Sequence, residues 1–316
     1  MFKKYLRVQP SAIQLLIFLS FWSVLQLLFT AALPLIAQRS TGLTIPDFSK
    51  FYNTQIQNYP QLMIWMQALG ALVGFLLPAV VFAYLAAPEP FRYLGFVKPK
   101  RKGQLLWVVL LALAMLPVVS VLGSWIKELD LGEVADEMEK RREQMIQLYL
   151  QSGTVLDLLG NVVFIALIPA ICEEVFFRGV VQRFAHTWLR KTGLTIAVSA
   201  IIFALFHASL YQLLPIMLAG AVLAWVYHIT SSLWLNILLH LIFNALQVVL
   251  ATYENTSPQL QALDKNTGAT IGFFAGGLVV ALLAIWQLNR ARTPLPADWS
   301  VVYPDTELQS NDQSPA

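Results

Sequence analysis

The stretch Ile171-Cys172-Glu173-Glu174-Val175-Phe176-Phe177-Arg178-Gly179 places two carboxylates and a guanidinium inside an apolar run. Each such group costs roughly 2.5–3.5 kcal/mol at the centre of a bilayer, so three left unpaired cost on the order of 8–10 kcal/mol. A helix that carries this burden faces a polar cavity or a structural clamp between helices. The run around it, Val155–Phe177, is long enough to span a hydrocarbon core of roughly 30 Å, which takes about 20 helical residues. Working outward, seven more apolar runs appear: Ala12–Ile36, Gln61–Ala87, Leu105–Ile126, Leu194–Ala208, Leu213–His228, Leu233–Ala251 and Thr270–Leu288. The reading is an all-α polytopic membrane protein with about eight transmembrane helices. The fifth and sixth runs are short and poorly separated around Ser209-Leu210-Tyr211.

Composition agrees. Of 316 residues, 57% are hydrophobic and 12% charged, about half the charge of a soluble domain. The net charge of +3 is too small to point to nucleic acid. The single cysteine, Cys172, excludes an internal disulfide and reads as a small buried hydrophobe. The first run, of about 25 residues, exceeds the apolar region of a cleaved signal peptide, so it is expected to be a span.

The basic residues orient these spans. With the N-terminus cytoplasmic, one side collects Lys3, Lys4, Arg7, Arg92, Lys98, Lys100, Arg101, Lys102, Arg183, Arg190, Lys191, Arg290 and Arg292. The other holds Arg39, Lys50, Lys127, Lys140, Arg141, Arg142 and Lys265, leaving Arg178 in the membrane. The positive-inside rule then puts both termini in the cytoplasm. Segment 133–150 carries Val134, Met138, Met145 and Tyr149 at helical spacing, which predicts an amphipathic helix on the outer surface, a solvated connector or a gate. The expected organisation is a three-span region over 1–150 with this extracytoplasmic segment, a four-span core over 154–251, a final span over 269–289 and a disordered cytoplasmic tail over 290–316.

Residues four apart share a helix face. Three spans carry polar stripes at that spacing: Glu174, Arg178 and Gln182; Ser199, Phe203 and His207; Asn236, His240 and Asn244. At 1.5 Å per residue, Glu173, His207 and His240 lie roughly 15, 20 and 12 Å from the cytoplasmic ends of their spans, which are taken as Arg183, Leu194 and Ser232. One shared cavity at similar depth follows. His186 and His228 fall near the interface and need no functional explanation.

Arg178, one turn from Glu174, should keep that carboxylate ionised and oriented, leaving Glu173 as the candidate general base for a water. His207 beside it would hold or help deprotonate that water. His240 and Asn244 offer hydrogen-bond donors for an oxyanion. This is the equipment of acyl-bond hydrolysis. The same residues allow a metal version, with Glu173, His207 and His240 as three ligands of zinc or another divalent ion and water as the fourth. The common zinc-protease signature of two His four apart is absent. The cofactor question stays open at this point.

Glu173-Glu174-x-x-x-Arg178-Gly179, Phe203-x-x-x-His207 and Ser232-Leu233-Trp234 leading to His240-x-x-x-Asn244 resemble the CPBP family, the type 2 CAAX prenyl endopeptidases and bacterial bacteriocin-processing or self-immunity (Abi) proteins. The resemblance covers roughly Leu156 to Val249. It implies an eight-helix intramembrane endopeptidase acting on a membrane-associated protein or peptide. Glu173 and His207 would activate the water, His240 and Asn244 would stabilise the oxyanion, and Glu174 and Arg178 complete the first motif. Family naming often says metalloprotease, and a metal-free glutamate mechanism is also argued. One departure is Ala224, where relatives often carry a second glycine. The implied setting is a bacterial cell membrane, with lipid around the protein and no nucleic-acid partner. Two alternatives stand: a non-proteolytic scaffold or self-immunity protein of the same fold, and a proton-coupled transporter, which would call for paired repeats with broken helices.

Overall fold

The computed structural model describes residues 5–150, 154–254, 257, 267–293 and 295. The expected tail over 290–316 lies almost wholly outside them. Every regular element among the described residues is helical. Among the described residues, seven helices are long and apolar enough to cross a membrane: α1 (Ser11–Thr41), α3 (Pro60–Ala86), α5 (Gly103–Lys127), α7 (Val155–Leu189), α9 (Leu213–Thr230), α10 (Leu233–Glu254) and α11 (Thr267–Arg290). A shorter apolar helix, α8 (Thr192–Leu205), makes the eighth. Helices α2 (Phe48–Thr54), α4 (Pro90–Leu94) and α6 (Glu133–Tyr149) lie between spans. The chain is a polytopic all-α membrane protein.

Two helices depart from the ends expected of them. Helix α7 runs on past Arg183 to Leu189 and stops where Arg190 takes a left-handed conformation. Helix α8 stops at Leu205, so His207 lies in the loop after it. At 14 residues α8 rises about 21 Å, roughly 9 Å short of the hydrocarbon core. The loop 206–212 is therefore recessed, and α6 packs against it. Ala135, Glu139 and Tyr149 of α6 are buried, so this helix is more than a solvated connector.

Wide π-type turns interrupt the long helices. Two of them, Leu72–Leu76 and Val162–Leu167, come directly before Pro78 and Pro169. Proline has no N–H to donate and its ring crowds the carbonyl four residues back, and a widened turn relieves both. A third, Phe177–Val181, follows the glutamate pair. Residues four apart on a regular helix drift about 40° per step. The extra residue taken up by the wide turn offsets that drift and keeps Glu174, Arg178 and Gln182 on one face.

The core gathers around α7. Phe176 and Phe177 meet Phe75 of α3 and Phe206 of the recessed loop, and Phe176 also meets Phe18 of α1. Leucines 16, 27, 28 and 35 of α1 and Phe273, Leu282 and Trp286 of α11 face outward, as lipid-facing surfaces do. Glycines set the closest approaches. A Cβ at Gly220 of α9 would come within 2.9 Å of the Phe203 ring and 3.4 Å of the Ala200 Cα on α8. A Cβ at Gly277 of α11 would lie 2.7 Å from Pro117 and 2.9 Å from the Ala114 carbonyl on α5.

Candidate active site

The innermost layer is an ion pair. Glu174 and Arg178 sit one turn apart with no side-chain exposure, and Arg178 Nη1 lies 3.1 Å from Glu174 Oε1. Neighbouring helices share in satisfying the pair. Arg178 Nη2 donates to the Gly220 carbonyl at 3.2 Å, and its guanidinium carbon lies 4.6 Å from the Phe203 ring centre. Asn236 Nδ2 donates to Glu174 Oε2 at 3.0 Å and to the Leu223 carbonyl at 2.7 Å. One turn further along α7, Gln182 Nε2 donates to the Ala224 carbonyl at 2.8 Å. The fully buried Ala224 thus sits in a working α7–α9 seam despite its missing glycine. Paired and hydrogen-bonded charges are the form in which charge survives burial.

On this base stands His240. Its Nδ1 lies 2.9 Å from Glu174 Oε1. An ionised carboxylate only accepts, so Nδ1 carries the hydrogen and donates. In the neutral ring the Nε2 lone pair then points away from Glu174. His207 arrives at the same tautomer by another route: its Nδ1–H donates to the Phe203 carbonyl at 2.8 Å. The four-residue relation read from the sequence is kept here by a loop bond rather than by a helix.

Both Nε2 atoms face Glu173. His207 Nε2 and His240 Nε2 each lie 3.9 Å from Glu173 Oε2, an atom that is buried and makes no hydrogen bond among the described residues. A separation of 3.9 Å is beyond a direct hydrogen bond and suited to one bridging water. The site grades from lipid-like depth outward, with side-chain exposures of 0% at Glu174, 6% at His240, 15% at Glu173 and 33% at His207. Asn244, half-buried, follows His240 by one turn on the same helix face.

The sequence-selected residues thus divide clearly. Glu173, Glu174, Arg178, His207 and His240 are brought together through contacts, and Asn244 borders them through its helical register. Asn236 belongs with them, bridging Glu174 to α9. Its place on the α10 stripe was the available signal, although the stripe alone does not reveal which carboxylate it serves.

The donor types at Glu173, His207 and His240 are those of a zinc site, but their spacing is not. A tetrahedral zinc with bonds near 2.0 Å needs donors roughly 3.3 Å apart, whereas both histidine nitrogens stand 3.9 Å from the carboxylate. No group of three His, Cys, Asp or Glu among the described residues closes tightly enough to hold an ion. As placed, the three do not fit a metal.

Residues 155–246 match the family model described as Rce1-like, type II CAAX prenyl endopeptidase Rce1-like. The match covers under a third of the chain and supports the CPBP/CAAX protease family for that segment. The Rce1-like segment begins at the first residue of α7 and ends within α10, so it holds all six selected residues. No curated protein and no solved structure matches the chain.

Proposed function

We propose that this protein is an intramembrane endopeptidase that hydrolyses a peptide bond in a membrane-associated protein or peptide. The observation that carries the proposal is Glu173 Oε2, buried between two histidine nitrogens at 3.9 Å each. A water seated there meets a carboxylate that can take its proton and an imidazole lone pair that fixes its orientation. Glu173 is the general base, and His207 holds the water. The water oxygen attacks the scissile carbonyl, and Asn244 Nδ2 donates to the oxyanion that forms. His240 adds a second donation when Nε2 carries a proton, with Nδ1–H already committed to Glu174. The proton taken by Glu173 then passes to the leaving amine. Glu174, Arg178 and Asn236 do not touch the reacting atoms. They fix the ring of His240 and the face of α7.

The excess of lysine and arginine in alternate loops supports reading both termini as cytoplasmic, and on this reading substrates carry an apolar or lipid-modified portion that partitions into the bilayer. The test compares membranes from cells that express wild type or Glu173→Gln, by quantitative proteomics of protein N- and C-termini. New termini that need wild type support the proposal and identify the substrate. Identical termini in the two membranes overturn it in favour of a scaffold of the same fold.

A further inference from the structure

The loop that carries His207 is held by a helix outside the Rce1-like segment. Two side chains of α6 reach it. Tyr211 Oη donates to Asp136 Oδ1 at 2.5 Å. Ser209 Oγ donates to Glu139 Oε2 at 3.4 Å, and Ser209 Oγ in turn accepts from the Gln212 backbone N–H at 3.3 Å. Glu139 is itself held in place. Arg142 donates to both of its oxygens, at 2.6 and 2.8 Å, and Lys127 at the end of α5 lies 3.1 Å away. Beneath these bonds Tyr211, Ala135 and Ile126 form a small buried cluster. A polar contact set of this kind, joined to a packed one, has a mechanical consequence. Helix α8 ends at Leu205, and the next residues take an irregular path with Ala208 at a positive φ of 47°. Regular helix therefore does not fix His207, and the bonds at Ser209 and Tyr211 supply what the helix lacks.

We propose that Asp136 and Glu139 are positioning residues, which hold the loop 206–212 so that His207 Nε2 faces Glu173. The inference rests on the catalytic reading of His207 given above. It makes α6 part of the catalytic apparatus even though no residue of α6 touches the reacting atoms. A misplacement of about 1 Å in such a group costs on the order of a hundredfold in rate.

The test uses the full chain in lipid nanodiscs and a peptide spanning a cleavage site found by terminal proteomics. Tyr211→Phe removes one hydroxyl and keeps the buried ring, so it preserves the fold. Asp136→Ala removes the acceptor, and Asp136→Asn keeps one. Glu137→Gln changes charge on the exposed face of the same helix and serves as the control. The expected result is a drop of about tenfold to a hundredfold in kcat for Tyr211→Phe and Asp136→Ala with KM little changed. The double variant should be no slower than either single one, and Asp136→Asn should recover most of the rate. Amide hydrogen exchange over 206–212 should quicken in the slow variants while that of 236–244 stays as in wild type. Wild-type rates in Tyr211→Phe and Asp136→Ala, or slow rates with unaltered exchange over 206–212, overturn the inference. If Glu173→Gln cleaves the same peptide at the wild-type rate, the hydrolytic reading itself falls. A dead Glu173→Gln beside fully active α6 variants removes only the positioning role.

Discussion

The glutamate pair shows how adjacent residues of one type acquire different work. Glu174 is enclosed, paired with Arg178 and bonded by Asn236 and His240. Glu173 is left with one buried oxygen that makes no hydrogen bond among the described residues and faces two histidines. Substitution should separate the roles. Glu173→Gln breaks no hydrogen bond of its Oε2, so the thermal midpoint should hold while cleavage falls by about 10²- to 10⁴-fold. Glu174→Gln or Arg178→Met leaves its partner charge buried alone, at a cost of about 3–5 kcal/mol. Denaturant unfolding in detergent should therefore register these two changes even before activity is assayed. The pair and its spacing were legible in the sequence because two carboxylates and an arginine stand out in an apolar run. The asymmetry between the two was legible only in part, since the partners of Glu174 come from α9 and α10. The spacing that disfavours a metal was not legible at all. Cleavage by the purified protein should survive a strong chelator, and a loss restored by added zinc would speak against metal-free hydrolysis.

At the scale of elements, hydropathy located the spans well, because a long apolar run in a membrane protein has few alternatives to helix. It did not locate two helix ends. Arg183 reads as the end of a span, yet its guanidinium donates to the Tyr93 carbonyl at 2.9 Å and stacks 3.7 Å from that ring's centre, which lets α7 continue. Leu205 ends α8 two residues before His207, inside a run read as continuing to Ala208. Close packing makes its own predictions here. Gly277→Val should drive α11 off Pro117 and the Ala114 carbonyl, costing about 1–3 kcal/mol in stability, with the rate per folded molecule unchanged. Gly220→Val should cost a similar amount and also slow cleavage, because it displaces Phe203, whose carbonyl holds His207. Helix α6 offers a pH signature. The bidentate Arg142 contact, with Lys127 nearby, holds Glu139 down to about 2. A depressed carboxylate stabilises above its unfolded value and loses that contribution as pH falls through the folded one. Denaturant unfolding followed by a fluorescent probe on α6 should therefore show the Glu139 contribution intact at neutral pH, shrinking as pH falls below the ordinary carboxylate value and gone toward pH 2.

For the molecule as a whole, the distribution of lysine and arginine predicts one orientation. Single-cysteine variants in a Cys172→Ala background make it measurable. A cysteine at position 102 should be labelled only from the cytoplasmic side of intact cells, and one at position 137 only from the opposite side. In that orientation the recessed loop and α6 lie toward the outer face, and the basic loop after α4 lies toward the inner one. The architecture was readable in advance because the membrane constrains it so strongly. The joining of α6 to the His207 loop was not, since it depends on contacts between residues about 70 positions apart.

The role of Glu173 is decided by the cleavage rate of wild type against Glu173→Gln. Both would be purified, matched in thermal midpoint and reconstituted in vesicles with a peptide bearing the mapped cleavage site. A general base at Glu173 means a loss of at least about a hundredfold with substrate binding retained. Equal rates in the two proteins would contradict it.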